Sequence, residues 1–246
     1  MSEIITTPPT EDIPECPECG KPQPLCICDS LAPVENTVEV LILQHPQEQD
    51  RLLGTARLTA LQLTNATLKI GLSWSSLSKA LGREVDPAGW AILYLGSAKV
   101  ADLETDRDVV AIDRKGGLEH AQNAILNNIE GVVVLDGTWS QAKALWWRNP
   151  WMLKCQRVIL GPKSLSLYGK LRREPRSDGL STIEAVSLLL ARLEKRPQIA
   201  DALLGAFERM LAKYREGVKA HPELLPKPKP KRDWRRGRKP ARRRQG

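Results

Sequence analysis

The chain contains 246 residues, of which 41% are hydrophobic and only 4% are aromatic. This length suits one large domain or one domain with small attachments, and the composition predicts a core built mainly from Leu, Ile, Val and Ala. No apolar stretch reaches the roughly 20 residues that a membrane-spanning helix needs, and the acidic, Pro-rich N-terminal segment lacks the features of a signal peptide. We therefore expect a cytoplasmic protein, with residues 1–15 disordered.

Four of the five cysteines lie close together, at Cys16, Cys19, Cys26 and Cys28. Disulfides are rare in cytosolic proteins, whereas four thiolates at this spacing suit a tetrahedral Zn²⁺ ion. Four protein ligands would close the site, so we predict a structural zinc module over residues 16–36 whose folding depends on the metal. An iron–sulfur cluster is the alternative, because four cysteines can also hold one. Cys155 lies far away, and we predict that it is a buried small hydrophobe.

Strands and helices alternate over residues 37–222. Apolar runs predict strands, and apolar residues at helical spacing predict helices. The predicted strands cover 38–43, 68–74, 90–96, 131–137 and 156–161, and 108–113 is either a short strand or a loop. The predicted helices cover 48–63, 118–128, 139–148, 181–194 and 202–218. This alternation predicts an α/β domain whose mostly parallel sheet carries helices on both faces.

Polar residues follow several of these strands, and ligands of open parallel sheets bind beyond the carboxyl ends of the strands. The Gly-rich dinucleotide and P-loop signatures are absent, so we look to these strand ends for a composite pocket. The candidates are Gln44, His45, Glu48, Gly96, Ser97, Asp136, Gly137, Thr138, Trp139, Gly161, Lys163 and Ser164. Asp136 has a structural alternative as the cap of the helix that begins near Thr138. We interpret Trp146 and Trp147 as helix packing.

Residues 167–185 form a long polar segment that leads into a helix, and segments of this kind are often functional. The segment contains Arg172 and Arg173, and Ser181 with Glu184 matches the capping-box pattern that starts a helix. The free N–H groups and partial positive charge of such a helix N-terminus suit a carboxylate or a phosphate.

The net charge of +8 is concentrated near the C-terminal end. Residues 227–246 hold eleven Lys and Arg and one acid, Asp233, whereas the other 226 residues carry 26 basic and 28 acidic residues. We therefore predict a disordered basic tail over residues 223–246. Its best partner is a polyanion, and we expect nucleic acid. A tail that only confers solubility is the alternative.

Several motifs together resemble those of the DTW-domain family. They are the four cysteines, LILQHPQE (41–48), GTARL (54–58), LDGTWSQAK (135–143), LRREP (171–175) and LSTIEA (180–185). The likeness covers roughly residues 16–210, and so many motifs in the right order are far more specific than any one of them. The resemblance implies a fold related to the knotted SPOUT-type methyltransferases, which needs no Gly-rich Rossmann fingerprint.

The family includes tRNA-uridine aminocarboxypropyltransferases, and the resemblance implies that activity. These enzymes move the 3-amino-3-carboxypropyl group of S-adenosylmethionine to N3 of a tRNA uridine and release 5′-methylthioadenosine. In the bacterial members the uridine is at position 47 of the variable loop. The sulfonium supplies the leaving group, so the protein must aim N3 at the correct carbon and help to remove its proton. The expected partner is tRNA, with no membrane contact and no obligate protein partner.

The resemblance assigns the candidate residues to roles. Asp136 is the expected general base or orients the uracil edge, and Thr138 belongs to the same catalytic group. Trp139 stacks on the adenine or the uracil, encloses the sulfonium by cation–π attraction, or packs in the core. S-adenosylmethionine is expected to contact Leu95, Gly96, Ser97, Leu135, Gly137, Leu180, Ser181, Thr182 and Glu184. RNA is expected to contact His45, Glu48, Arg57, Arg172, Arg173, Arg235 and Arg236, with Arg172 or Arg173 alternatively holding the carboxylate of S-adenosylmethionine.

Two other functions stay open on the residues alone. The first is an S-adenosylmethionine-dependent RNA methyltransferase, which would use the same pocket and transfer a different carbon. The second is a non-enzymatic RNA-binding protein that carries a zinc module and a basic tail.

Overall fold

The computed structural model describes residues 13–93, 103, 107–161, 166–169, 171 and 179–225. Within them, one sheet contains β1 (Glu39–Gln44), β2 (Ala66–Ile70), β3 (Trp90–Leu93), β4 (Val109–Ile112), β5 (Gly131–Asp136) and β6 (Gln156–Leu160). The order across the sheet is β2-β1-β5-β3-β6-β4. Every neighbouring pair is parallel except β4 with β6, which is antiparallel. The predicted α/β class with a mostly parallel sheet is confirmed.

The helices that the structure describes are α1 (Ala56–Gln62), α2 (Leu77–Leu81), α3 (Gln122–Asn127), α4 (Trp139–Arg148), α5 (Thr182–Leu193) and α6 (Pro197–Ala220). The helix predicted over 48–63 is present only as α1, because turns closed by the N–H groups of Arg51 and Gly54 occupy the first half of that range. The predicted strand at 68–74 begins and ends earlier, because β2 pairs with β1 only from Ala66 to Ile70. Helix α2 was not predicted, because five residues are too few to show a helical period.

The core lies on both faces of the sheet, because successive side chains of a strand point to opposite sides. On β1, Val40 and Ile42 belong to the cluster beneath α1, α3, α5 and α6, whereas Leu41 and Leu43 belong to the cluster beneath α2 and α4. On β5 the same alternation is made by Val132 to Leu135. The chain therefore forms three layers, with the sheet in the middle and helices on each side.

The cysteine-bearing segment packs against the α/β domain. The Lys21 ammonium donates to the carbonyls of Leu52 (2.5 Å) and Gly54 (3.1 Å). Leu25 is buried and lies so close to α6 that a Cβ on Gly217 would come within 2.3 Å of its Cδ2. Glycine at position 217 is thus needed for close packing. These contacts attach the segment both to the loop after β1 and to the longest helix.

Three further predictions depend on residues outside the described part of the chain. A knot would be decided by the segments after β3 and β6, which include 94–102 and 162–165, so the relation to knotted folds stays a prediction. Most of the predicted disordered segment 1–15 and of the predicted tail 223–246 also lies outside the described residues. Among the residues that are described, no helix is both long and apolar enough to cross a membrane.

Candidate active site and metal centre

The carboxyl ends of β1 and β5 meet at the point where the topology of the sheet changes direction. After β1 the chain continues through α1 to β2 on one side, and after β5 it continues through α4 to β6 on the other. Ligands of open α/β sheets bind at such a switch point. Gln44 ends β1 and Asp136 ends β5, and the register places them directly opposite each other. The sheet therefore creates its crevice at Asp136.

The Asp136 carboxylate is oriented by two donors from different elements. The Gln44 side-chain amide donates to Oδ2 at 2.8 Å, and the Thr182 hydroxyl donates to Oδ1. Gln44 is buried, whereas Asp136 and Thr182 are half-buried. Each carboxylate oxygen has a second lone pair, so the carboxylate keeps acceptor capacity while its plane is fixed. This arrangement suits a group that receives a proton from a ligand.

The helix after Asp136 is capped by Thr138, so the alternative that Asp136 caps it is wrong. The Thr138 hydroxyl accepts from the backbone N–H of Gln141 at 3.4 Å, and the Gln141 side chain accepts from the backbone N–H of Thr138 at 2.6 Å. This reciprocal pair is a complete capping box. Because Thr138 caps the N-terminus of α4, the Asp136 side chain is not used as a cap and can face the crevice.

Helix α5 directs its N-terminus at the same crevice. The predicted capping box between Ser181 and Glu184 is confirmed. Glu184 is buried, and its carboxylate also accepts from the Ser166 hydroxyl (2.7 Å) and the Leu167 N–H (2.6 Å). Glu184 thus fixes both the start of α5 and the segment that follows β6, and these contacts hold Thr182 against Asp136.

A shallow, open depression adjoins this crevice and shares Gln44 with it; we call it the charged pocket. Cations at Lys21, Arg51 and Arg57 and carboxylates at Glu48 and Asp50 line it. Glu48 Oε2 pairs with Arg51 Nε at 3.5 Å. Glu48 Oε1 is buried without a hydrogen-bond partner in the described part of the protein. The pocket therefore combines both signs of charge beside Asp136.

The four N-terminal cysteines form a cluster with the dimensions of a metal centre. Their sulfur atoms all lie within 4.8 Å of one another, and the pairs Cys16–Cys28 and Cys19–Cys26 are each 3.8 Å apart. A tetrahedral zinc ion with bonds of about 2.3 Å would separate its sulfur ligands by about 3.8 Å. The backbone N–H of Cys19 lowers the pKa of the Cys16 thiol to about 7 and so favours its thiolate, whereas burial raises the pKa of the Cys26 and Cys28 thiols. The residues present fit a metal ion held by four thiolates.

Gly20 completes the turn between the first two cysteines and the third. Its backbone has a φ of +66°, a left-handed conformation that side chains disfavour. A Cβ at this position would also come within 3.1 Å of the Arg57 guanidinium. The glycine therefore lets the cysteine turn approach Arg57, so that the metal centre and the charged pocket are neighbours.

Comparison with known proteins assigns the family. The model of the DTW domain matches residues 13–215, which is most of the chain and includes both the cysteine cluster and the crevice. The chain belongs to the DTW domain family. The chain has no significant match among solved structures.

Curated relatives of this DTW protein carry one name, tRNA-uridine aminocarboxypropyltransferase 2. The protein from Macaca fascicularis is 30% identical over 80% of this chain and 62% of its own length. The protein from Mus musculus is 32% identical over 78% of this chain and 60% of its own length. The protein from Drosophila melanogaster is 29% identical over 81% of this chain and 74% of its own length. The chain thus spans about 60% of the length of the first two relatives.

The DTW fold brings most of the described candidates to the crevice or its pocket. His45 lies next to Gly137, because a Cβ placed on Gly137 would be 3.5 Å from the Cβ of His45. The Nδ1 atom of His45 accepts from the Gln47 N–H at 3.2 Å. Glu48 and Arg57 line the charged pocket. Leu135 is buried in the core, and Leu180 packs against the opposite face of the sheet. Trp139 is half-buried at the start of α4. Predicted site residues outside the described part of the chain are Leu95, Gly96, Ser97, Lys163, Ser164, Arg172, Arg173, Arg235 and Arg236.

Sequence reasoning gave Gln44 no role and left out Lys21, Arg51 and Thr55. Gln44 carried a usable signal, because a polar residue at the very end of an apolar strand points to the crevice. Lys21 follows the cysteine turn and belongs to no recognisable motif, so no signal in the sequence pointed to it. Burial is the main cause that lowers its pKa to about 8. Thr55 accepts from the Ile183 N–H at 3.3 Å, which only the meeting of α1 and α5 reveals.

The structure confirms the predicted packing for Trp146 on α4 but not for Trp147. Trp146 is half-buried against the core, as predicted, and the Arg157 guanidinium lies 5.6 Å from the centre of its ring. The prediction that Trp147 packs is wrong, because 78% of it is exposed. Consecutive helix residues point about 100° apart, so the buried position of one leaves the next in solvent. Cys155 is buried as predicted, and burial raises the pKa of its thiol to about 12.

Proposed function

We propose that this chain is a tRNA-uridine aminocarboxypropyltransferase, which transfers the 3-amino-3-carboxypropyl group of S-adenosylmethionine to N3 of a tRNA uridine. The observation that carries the proposal is the Asp136 carboxylate, oriented at the switch point of a DTW domain whose curated relatives bear that name. The position of the uridine, 47 in the variable loop, is carried by the family resemblance alone.

The charged pocket supports S-adenosylmethionine as the donor. The amino-acid end of this molecule carries an ammonium and a carboxylate, and the pocket offers groups of both signs. The unpartnered Glu48 Oε1 is a candidate acceptor for the ammonium if its side chain rotates, and the Arg57 guanidinium suits the carboxylate. Because Gln44 lines this pocket and also binds Asp136, a donor bound there would have its transferable carbons beside the carboxylate.

The protein has two tasks in this reaction. It must aim uracil N3 in line with the Cγ–S bond, since the sulfonium also activates the methyl carbon. It must also accept the N3 proton while the N3–Cγ bond forms and 5′-methylthioadenosine leaves with the electron pair of the Cγ–S bond. We assign both the orientation of the uracil edge and the acceptance of the proton to Asp136. Trp139, at the start of α4, is the candidate for stacking on a base.

The cysteine cluster is proposed as a structural zinc site. Four thiolates would leave no coordination position for a substrate. A metal there would hold the turn that carries Lys21 and Gly20, and through them the wall of the charged pocket. No step of the transfer needs the metal.

The proposal is tested by incubating the full chain with unmodified tRNA and S-adenosylmethionine. The tRNA is then digested, and its nucleosides are identified by mass spectrometry. The expected result is a uridine carrying one aminocarboxypropyl group, with an equal amount of 5′-methylthioadenosine. A uridine carrying a methyl group would make the chain a methyltransferase and reject the proposal. Binding of tRNA without any modified nucleoside would instead support the RNA-binding alternative.

A further inference from the structure

Helix α4 carries an outward-facing row of residues, of which the catalytic proposal uses only the first, Trp139. Trp139, Lys143 and Trp147 are spaced four residues apart, so they share one side of the helix; we call them the α4 outer face. Trp139 is half-buried, Lys143 is exposed, and Trp147 is 78% exposed. At a rise of about 1.5 Å per residue, the row extends about 12 Å from its start beside Asp136.

The packing of the described residues does not explain the exposure of Trp147. Its neighbours Trp146 and Trp151 enter the core beneath α4, whereas Trp147 is the most exposed of the large hydrophobic residues in the described part of the protein. An indole left in water gains none of the free energy of burial that Trp151 gains. A solvent-facing aromatic ring is, however, what a nucleobase needs as a stacking partner.

The stretch of sequence that contains the α4 outer face is basic, which favours an anionic partner. Residues 137–160 contain four basic residues, Lys143, Arg148, Lys154 and Arg157, and no acidic residue. The same 24 residues contain four of the seven tryptophans of the chain. Lys143, Arg148 and Lys154 are exposed, and none of them forms an ion pair with another described residue. Lysine is depleted at protein–protein interfaces, whereas aromatic rings between cations are typical of single-stranded nucleic acid sites.

We propose that the α4 outer face binds an unpaired stretch of the substrate RNA next to the target uridine. A base stacks on Trp147, and Lys143 contacts the phosphate between that base and the crevice at Asp136. The inference rests on the proposed function in taking RNA as the substrate, but it concerns binding and not the transfer. It gives the enzyme a contact that holds single-stranded RNA in line with the crevice.

The test is the affinity of the full chain for unmodified tRNA, measured by fluorescence anisotropy for Trp147→Ala, Trp147→Phe and Lys143→Ala. Trp147→Ala is expected to raise the dissociation constant about tenfold, which is within the range measured for one stacked base. Trp147→Phe keeps an aromatic face and should recover most of the affinity. Lys143→Ala should lower the slope of log K against log salt by about 0.7, the value for one phosphate contact on a single strand. The matched controls are Leu61→Ala and Lys213→Ala, which change an exposed apolar residue and an exposed cation elsewhere.

The outcomes separate this inference from the proposed function. Both alanine variants on α4 behaving like their controls would overturn the inference, even if wild-type protein transfers the group. A weaker affinity for tRNA in Trp147→Ala would uphold it, even if no modified uridine is found with the wild type. If Trp147→Ala changes only self-association, seen by light scattering, the face is a protein interface and the RNA proposal is rejected.

Discussion

Gln44 and Asp136 are 92 residues apart in sequence, yet the Gln44 amide donates to the Asp136 carboxylate at 2.8 Å. They are the last residues of the adjacent parallel strands β1 and β5, and the strand register pairs them with each other. The Thr182 hydroxyl completes the orientation of the carboxylate from the start of α5. Three segments distant in sequence therefore determine the position of the proposed proton acceptor.

Replacing Asp136 with Asn should remove proton acceptance while keeping the shape of the side chain. We expect the rate of transfer to fall about 100- to 10,000-fold, the range for loss of a general base, with affinity for tRNA nearly unchanged. Single-turnover nucleoside analysis measures the rate, and anisotropy measures the affinity. Asp201→Asn, on the exposed side of α6, is the matched control. A variant Asp136→Asn that is as fast as wild type would reject the assignment.

Gln44→Ala should lower kcat without raising the KM for tRNA, because Gln44 orients Asp136 and is not proposed to touch RNA. A hydrogen bond to a charged group contributes about 1.5–3 kcal/mol, so we expect a decrease of about 10- to 100-fold. In the double variant with Asp136→Asn, Gln44→Ala should cause little further decrease. Additive effects of the two changes would show that Gln44 acts separately. Gln198→Ala, at an exposed position of α6, is the control.

Cys19→Ser should abolish metal binding and loosen the segment that carries Lys21. Elemental analysis is expected to find about one zinc per wild-type chain and almost none in the variant. Hydrogen exchange should accelerate from Cys16 to Ser30, since the metal would tie the four cysteines of this segment together. Cys155→Ala is the matched control, because this buried thiol lies outside the cluster. Iron with visible absorbance in the wild type would instead identify an iron–sulfur cluster.

Glu184→Ala should destabilise the fold. The buried Glu184 carboxylate accepts from Ser166, Leu167 and Ser181, and its removal leaves their donors without a partner. We expect the free energy of unfolding to fall by about 2–4 kcal/mol, as for other broken buried networks. Urea denaturation measures the change, and Glu208→Ala, on the exposed side of α6, should stay within about 0.5 kcal/mol of wild type. Equal stability of both variants would contradict the anchoring role of Glu184.

Deleting residues 227–246 should weaken tRNA binding and flatten its dependence on salt. The deletion removes eleven Lys and Arg, and each phosphate that these cations no longer neutralise reduces the slope of log K against log salt by about 0.9. A tail of the same length with Gln in place of these residues is the control for length, and it should behave like the deletion. An unchanged slope would show that the tail does not contact tRNA phosphates, and it would support the alternative that the tail only confers solubility.

The sequence by itself determined the class of fold and the parts of the site that are local. Period and composition predicted most strands and helices, because side chains two residues apart in a strand and three or four apart in a helix share a face. The spacing of the cysteines predicted their cluster, and Ser181 with Glu184 predicted a capping box that is present. These features depend on residues at most 12 positions apart, so local geometry is enough to specify them.

Only the tertiary structure decided which strand ends meet and which side chains face solvent. The strand order that makes Gln44 the neighbour of Asp136 results from crossovers whose direction no local pattern encodes. The antiparallel edge strand β4 and the contact of Thr182 with Asp136 have the same origin. Trp146 and Trp147 have identical side chains, and their opposite burial depends on how α4 is rotated against the sheet, since a turn of about 100° per residue gives each a different face.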